Sequence, residues 1–214
     1  MDEFPNLPSK RYQQLRHEIK SGDILLCSGN ATFSNMIKQA TKSPWSHVAF
    51  ILRLDFIDRI IVLESVESIG VRAVPLSSYV FDYNTTGKGY AGRLMLARHR
   101  DLKQENIVNL SKIAMDLLGY PYHTEEILRI AARIGMNTIG LNRLAQDVLP
   151  QREFICSEYA HICFKSVGIT IDYNSLGFIA PADFARCPHV DALSFVQTEE
   201  MRALHALLEP TKTV

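Results

Sequence analysis

Up to about residue 100 the apolar positions come in short runs bounded by polar turns, the pattern of β-strands; beyond it their spacing lengthens to that of helices. Residues 8–20, SKRYQQLRHEIK, read as a short amphipathic helix with Ser9 as N-cap and Gly22 after its end. A strand is expected at Asp23 to Cys27. The polar loop SGNATF then leads into a helix from Ser34 to Thr41, which Pro44 prevents from continuing. Val48 to Leu54 and Ile60 to Ser65 are rich in β-branched and large apolar residues, and the turn between them contains Asp55 and Asp58, so an antiparallel hairpin is expected. Further strands are expected at Gly70 to Val74 and Gly92 to Ala97.

In the second half, Ile107, Leu110, Ile113, Ala114 and Leu117 form one helical stripe that Gly119 and Pro121 stop. Helices follow at Thr124 to Ile134, at Asn142 to Val148, along FICSEYAHICFKSVG to Gly168, from Pro181 in PADF, and at Glu199 to Leu208. A sheet-forming half followed by a mostly helical half is the pattern of an α+β domain. No repeat, low-complexity tract or linker divides the chain, so residues 1–214 are expected to form a single domain.

Composition narrows the function. The 23 basic and 23 acidic residues balance, and no basic stripe with interleaved aromatics is present, which disfavours nucleic acid as a partner. There is no run of 18 apolar residues, and MDEFPNLPSKRYQQLRHEIK lacks the features of a secretory signal, so a soluble, cytoplasmic protein is expected. The four cysteines, Cys27, Cys156, Cys163 and Cys187, include no C-x-x-C pair and no matching set of histidines, which argues against a structural zinc site.

Cys156 falls at the first turn of an expected helix, where unpaired N–H groups and the helix dipole favour a thiolate. The alternative is a small apolar core residue, as Cys163 on the same helix is taken to be. A cysteine nucleophile needs a base and usually a group that orients that base. His47 opens a strand directly after the Pro-Trp-Ser turn, at what would be the rim of a sheet; an exposed strand-end histidine is the competing reading. His161 lies five positions past Cys156 and points away from it, while His17, His99, His123, His189 and His205 fall in segments that read as exposed helix or loop. Glu64 interrupts the apolar run VLESV on the strand expected to pair with that of His47. A carboxylate there is costly unless partnered, although it could instead face solvent on an edge strand.

The blocks GDILL, SPWSHVAFIL, VLES with GVRAVPL, LGYPY, FICSEYAH and PADF resemble, in this order, the circularly permuted NlpC-type papain-like peptidases, including the YiiX-like group and the relatives of lecithin retinol acyltransferase. The resemblance covers about residues 21–186. It implies a permuted papain-like α+β fold, with an antiparallel sheet or small barrel against helices and an insert at about 124–148. It implies Cys156 as nucleophile, His47 as base and Glu64 as orienting acid, and it implies neither a metal nor another cofactor. The acyltransferase relatives use a second histidine where this chain has Glu64, which draws it towards the YiiX-like branch. Tyr122 is a candidate cleft residue or oxyanion donor, or else an ordinary buried tyrosine. Asp23 is expected to organise its turn rather than to react. The function implied is hydrolysis of a peptide or isopeptide-like amide through a thioester. Lipid acyl hydrolysis or transfer is the second enzymatic reading; the apolar residues of the insert, Ile127 to Leu141, could form a greasy lid or simply pack in the core. A non-catalytic binding module is the third.

Overall fold

The computed structural model describes residues 4–123, 155–172, 174 and 178–199. The helices expected at 124–134 and 142–148, the insert that contains them, and the last helix from residue 200 onwards lie outside the described residues.

Among the described residues the strands are β1 (Ser9–Lys10), β2 (Ile24–Gly29), β3 (His47–Leu54), β4 (Arg59–Val66), β5 (Gly70–Pro75), β6 (Gly92–His99) and β7 (Val190–Val196). They form one sheet in the order β1-β7-β6-β2-β3-β4-β5, antiparallel throughout except for the parallel pair β1 and β7. Its helices are α1 (Tyr12–Leu15), α2 (Thr32–Thr41), α3 (Leu76–Phe81), α4 (Ile107–Asp116), α5 (Cys156–Lys165) and α6 (Pro181–Arg186).

The central strands are covered on both faces, which is why they read as nearly continuous apolar runs rather than alternating ones. Every residue of β2 is buried. Ile24, Leu26, Val48, Phe50, Leu63 and Met95 point to the face covered by α4 and α5, meeting Leu110, Ala114, Tyr159, Cys163 and Phe164. Their neighbours Leu25, Cys27, Ala49, Ile51, Val62 and Leu96 point to the other face, against Leu15 of α1 and Leu76, Tyr79 and Phe81 of α3. Phe50 anchors α5 to the sheet, with its ring centroid 5.6 Å from that of Tyr159 and 5.9 Å from that of Phe164. Burial of one such ring stabilises the fold by roughly 1.5–3 kcal/mol.

Three expectations are corrected. The helix over 8–20 shrinks to Tyr12–Leu15, and Ser9 is not its cap. Ser9 and Lys10 are engaged by β7, where Phe195 N–H donates to the Pro8 carbonyl and Gln197 N–H to that of Lys10, each at 2.9 Å. Within the half expected to be mostly helical, Val190–Val196 runs as a strand along β6. Leu76–Phe81 forms α3 in a stretch for which no helix was expected, with Leu76, Tyr79, Val80 and Phe81 buried.

The GYPY segment is tied to β5 by a close backbone approach. Val71 N–H donates to Tyr120 O at 2.8 Å, and Gly119 N–H donates to Val71 O at 2.9 Å. Gly70, at φ +89°, permits it: a Cβ there would stand 2.1 Å from the Tyr120 carbonyl oxygen. Gly70→Ala is therefore expected to destabilise the protein by roughly 1–3 kcal/mol in denaturant titration. Gly87→Ala, also at positive φ but with open space around it, should cost less.

Candidate active site

His47 is delivered to the sheet rim by the turn before it. Ser46 N–H donates to Cys27 O at 2.9 Å, and Gly29 N–H donates to the Ser46 hydroxyl at 2.9 Å, so the turn is stitched to the end of β2 and His47 is set opposite Cys27. Pairing of β3 with β4 is recorded from Phe50 opposite Leu63 onwards, leaving the His47 end of β3 beyond that ladder.

Glu64 is fully buried on β4, which is paired on both sides, so the solvent-facing edge-strand alternative is overturned. Its Oε2 lies 2.7 Å from His47 Nε2 and also accepts the Tyr79 hydroxyl. Its Oε1 lies 2.8 Å from both Nε and Nη2 of Arg72, the residue directly opposite Glu64 on β5. Burial alone would push the carboxyl up, but the bonds and charges of His47 and Arg72, with the Tyr79 hydroxyl, outweigh it and hold the pKa below the ordinary value. Glu64 is thus an ionised acceptor at neutral pH.

The same balance acts on His47, whose side chain is 18% exposed. Burial disfavours the imidazolium; the charge of an ionised Cys156, a hydrogen bond to its sulfur, and the bond and charge of Glu64 outweigh that and raise the pKa to about 10. With Nε2–H donated to Glu64, the lone pair of the neutral ring sits on Nδ1, the nitrogen left for the thiol.

Cys156 is the first residue of α5 and is 4% exposed. The helix start is held on three sides. Ile155 N–H donates to the Glu158 carboxylate at 3.1 Å, the Ser157 hydroxyl donates to Ile179 O at 2.6 Å, and the Tyr159 hydroxyl donates to Ala114 O at 3.0 Å. Behind it, the Asp183 carboxylate accepts Ala180 N–H and the Asn174 amide, each at 2.7 Å, fixing the start of α6. Tyr122 packs against the cluster of Ile155, Phe178, Ala180 and Ala182, together with Phe33 and Met36 of α2. Burial, then the charge of Cys156, raise its hydroxyl pKa, so it is a neutral phenol able to donate.

The structure thus brings His47 and Glu64 into direct contact, with Cys156 as the other partner of the imidazole and Tyr122 close by. Asp23 lies elsewhere: it accepts Lys20 N–H at 2.7 Å and pairs with Arg98 at 2.6 Å, in keeping with organising its turn. Cys163 is core, its thiol raised by burial to about 12. His161 is buried on α5. His99 corrects the expectation of an exposed position, since it ends β6 and is 4% exposed. Arg72 and Tyr79 carry no signal in the sequence beyond a charge in GVRAV and a tyrosine in LSSYVF; their role appears only once β4 and β5 are in register. Among the described residues, no group of three or more His, Cys, Asp or Glu side chains is arranged to hold a metal ion, and no helix is long and apolar enough to cross a membrane.

No curated protein matches the chain. Among solved structures it is similar to the crystal structure of the metalloprotein yiiX from Escherichia coli O157:H7, at 17% identity and a TM-score of 0.58 over 82% of this chain and 96% of that one. That likeness is one of fold, and it agrees with the antiparallel sheet packed against helices. A model of the permuted papain-like amidase enzymes, YaeF/YiiX, C92 family, matches residues 18–129. The matched stretch contains His47, Glu64, Arg72 and Tyr122 and stops short of Cys156. Since it spans just over half of the chain, and the fold agrees with it, this protein belongs to the permuted papain-like amidase family YaeF/YiiX.

Proposed function

We propose that the protein is a cysteine hydrolase that cleaves an amide bond through a thioester on Cys156, with His47 as base and Glu64 as the acid that orients it. The observation carrying this reading is the 2.7 Å contact between His47 Nε2 and the fully buried Glu64 carboxylate, which leaves Nδ1 for a thiol at the start of a helix. A buried ion pair of this kind is a weak stabiliser of a fold, so a role in chemistry accounts for it better.

In the proposed cycle the Cys156 proton already resides on His47 Nδ1, and the thiolate attacks the amide carbon. The oxyanion is held by the backbone N–H of Cys156, the first residue of α5, and by the Tyr122 hydroxyl. Collapse breaks the C–N bond, and the imidazolium returns its proton to the departing amine. Water then attacks the thioester; His47 takes a proton from it, and the sulfur leaves as a thiolate and reprotonates. Throughout, the ionised Glu64 keeps Nε2–H engaged and the charge on the ring compensated.

The half-buried Phe33 and Met36, beside Ile155 and Phe178, form an apolar wall next to the nucleophile. That wall supports a second reading with the same chemistry, in which the acyl group is a lipid chain and the thioester is hydrolysed or passed to another acceptor. A panel of peptide amides, isopeptides and acyl esters followed by intact-mass detection of an acylated Cys156 separates the two.

Two outcomes are expected. Cys156→Ala should lower turnover of any confirmed substrate at least about 10³-fold, with its melting temperature close to that of the wild type. Activity surviving in this variant would refute the thioester route. Because His47 remains protonated up to about pH 10, labelling of Cys156 by iodoacetamide should vary less with pH than that of an ordinary thiol. In His47→Ala it should instead climb by about tenfold per pH unit, as an unassisted thiol does. Identical profiles in the two proteins would show that the histidine does not act on the sulfur.

A further inference from the structure

Glu64 has more partners than an orienting acid requires. One oxygen receives His47 and Tyr79, and the other receives two nitrogens of Arg72. Arg72 is itself held from behind: Nη1 and Nη2 each lie 3.4 Å from Asn84 Oδ1. Asn84 reaches that position from a left-handed backbone, φ 51° and ψ 37°, a conformation asparagine tolerates better than most residues. Tyr79 is braced by the rings of Tyr83 and Tyr90, with centroids at 4.8 Å and 5.6 Å.

The donors come from three different elements, β3, β5 and α3, and converge on one carboxylate. An arginine opposite a glutamate on neighbouring strands is an ordinary cross-strand pair when both face water. Here the glutamate is fully buried and the arginine side chain is 15% exposed. The pair therefore acts on the carboxylate that meets His47 at Nε2.

We propose that Arg72 is a positioning residue of the Cys156–His47 pair: with Tyr79 it fixes Glu64 as an ionised acceptor of one orientation and so sets the lower pH limit at which the pair works. This inference rests on the thioester reading above. The groups facing Glu64 are His47 on β3, Arg72 on β5, Tyr79 on α3, the neighbouring Tyr83 and Tyr90, and Cys27 on β2. Burial raises the thiols and phenols in this set, so they stay neutral, and Arg72 is the one permanent cation. Without it, desolvation lets Glu64 take up a proton at a higher pH. A protonated Glu64 no longer compensates the imidazolium, and thiolate formation fails on the acidic side first.

The test is the pH profile of Cys156 alkylation in the full chain from about pH 4 to about pH 8, for wild type, His47→Ala, Arg72→Met, Arg72→Lys and Tyr79→Phe, with a thermal melt of each. The acidic limb should move up by about one to two pH units in Arg72→Met. It should return most of the way in Arg72→Lys, which restores charge without the fork, and move up by less in Tyr79→Phe. Loss of a merely structural contact would lower the melting temperature and leave the limb in place. An unmoved limb in folded Arg72→Met overturns the proposal, as does a shift in Arg72→Lys equal to that in Arg72→Met. If Arg72→Met does not fold, an unmoved limb in both Arg72→Lys and Tyr79→Phe overturns it equally. A profile that His47→Ala leaves unchanged overturns the thioester reading and this inference together, which distinguishes the two failures.

Discussion

Placing an unpaired carboxylate in the interior costs several kcal/mol, and the arrangement around Glu64 is the answer to that cost. Its compensation depends on three pieces of local structure being right at once. The register of β4 against β5 must put Arg72 opposite it, α3 must turn Tyr79 inward, and the Pro-Trp-Ser turn must hand His47 to the rim of the sheet. An error of one residue in the β4–β5 register would send Arg72 to the opposite face and leave Glu64 with a buried charge. The site is therefore specified by strand pairing, and a sheet buried on both faces is what makes that pairing strict.

The order of elements along the chain explains how the proposed nucleophile can stand more than a hundred positions after its proposed base. The sheet residues come first, and α5 arrives later to lie on a face already formed by Val48, Phe50 and Leu63. Its docking is carried by Phe50 against Tyr159 and Phe164, and by the hydroxyls of Ser157 and Tyr159 on carbonyls of other elements. The apolar contacts set the distance of the helix from the sheet. The two hydroxyl bonds set its rotation, and rotation decides whether the residue at its start faces His47.

How much of this is legible beforehand follows from the range of each interaction. The β2, β3 and β4 runs are dense in Ile, Leu and Val and stand within a few residues of the observed strands, because burial on both faces writes itself directly into composition. Cys156, His47 and Glu64 can be singled out because each is a polar or reactive residue at an apolar address. β7 escapes the same reading: Val190–Val196 mixes Asp191 and Ser194 with apolar residues and becomes a strand by pairing with β6, some ninety positions earlier, and with β1 near the N-terminus. His99 is misread for the same reason, since its burial is made by contacts from β7 and α5 rather than by its neighbours in sequence. Arg72 and Tyr79 are the extreme case, in which nothing local distinguishes them from a surface charge and a core aromatic.

The surroundings of the four cysteines support the proposal of Cys156, rather than its neighbours, as the nucleophile. Cys27 sits directly across from His47 on the neighbouring strand, and its thiol would be the obvious rival. Yet it lies mid-sheet with complete burial, and the negative charges of Glu64 and an ionised Cys156 add to desolvation in pushing its pKa well above that of a free thiol. Cys163, two turns along α5, suffers the same desolvation, offset only in part by a hydrogen bond with Tyr159. Cys156, the proposed nucleophile, differs in its surroundings rather than in its chemistry: it stands beside the His47 ring at the end of β3 and at the positive end of a helix. Exchanging the roles of Cys27 and Cys156 would require an anion on β2 to be stabilised by a residue already committed to Glu64. The same carboxylate that makes His47 a charged partner for one sulfur thus keeps the other one neutral.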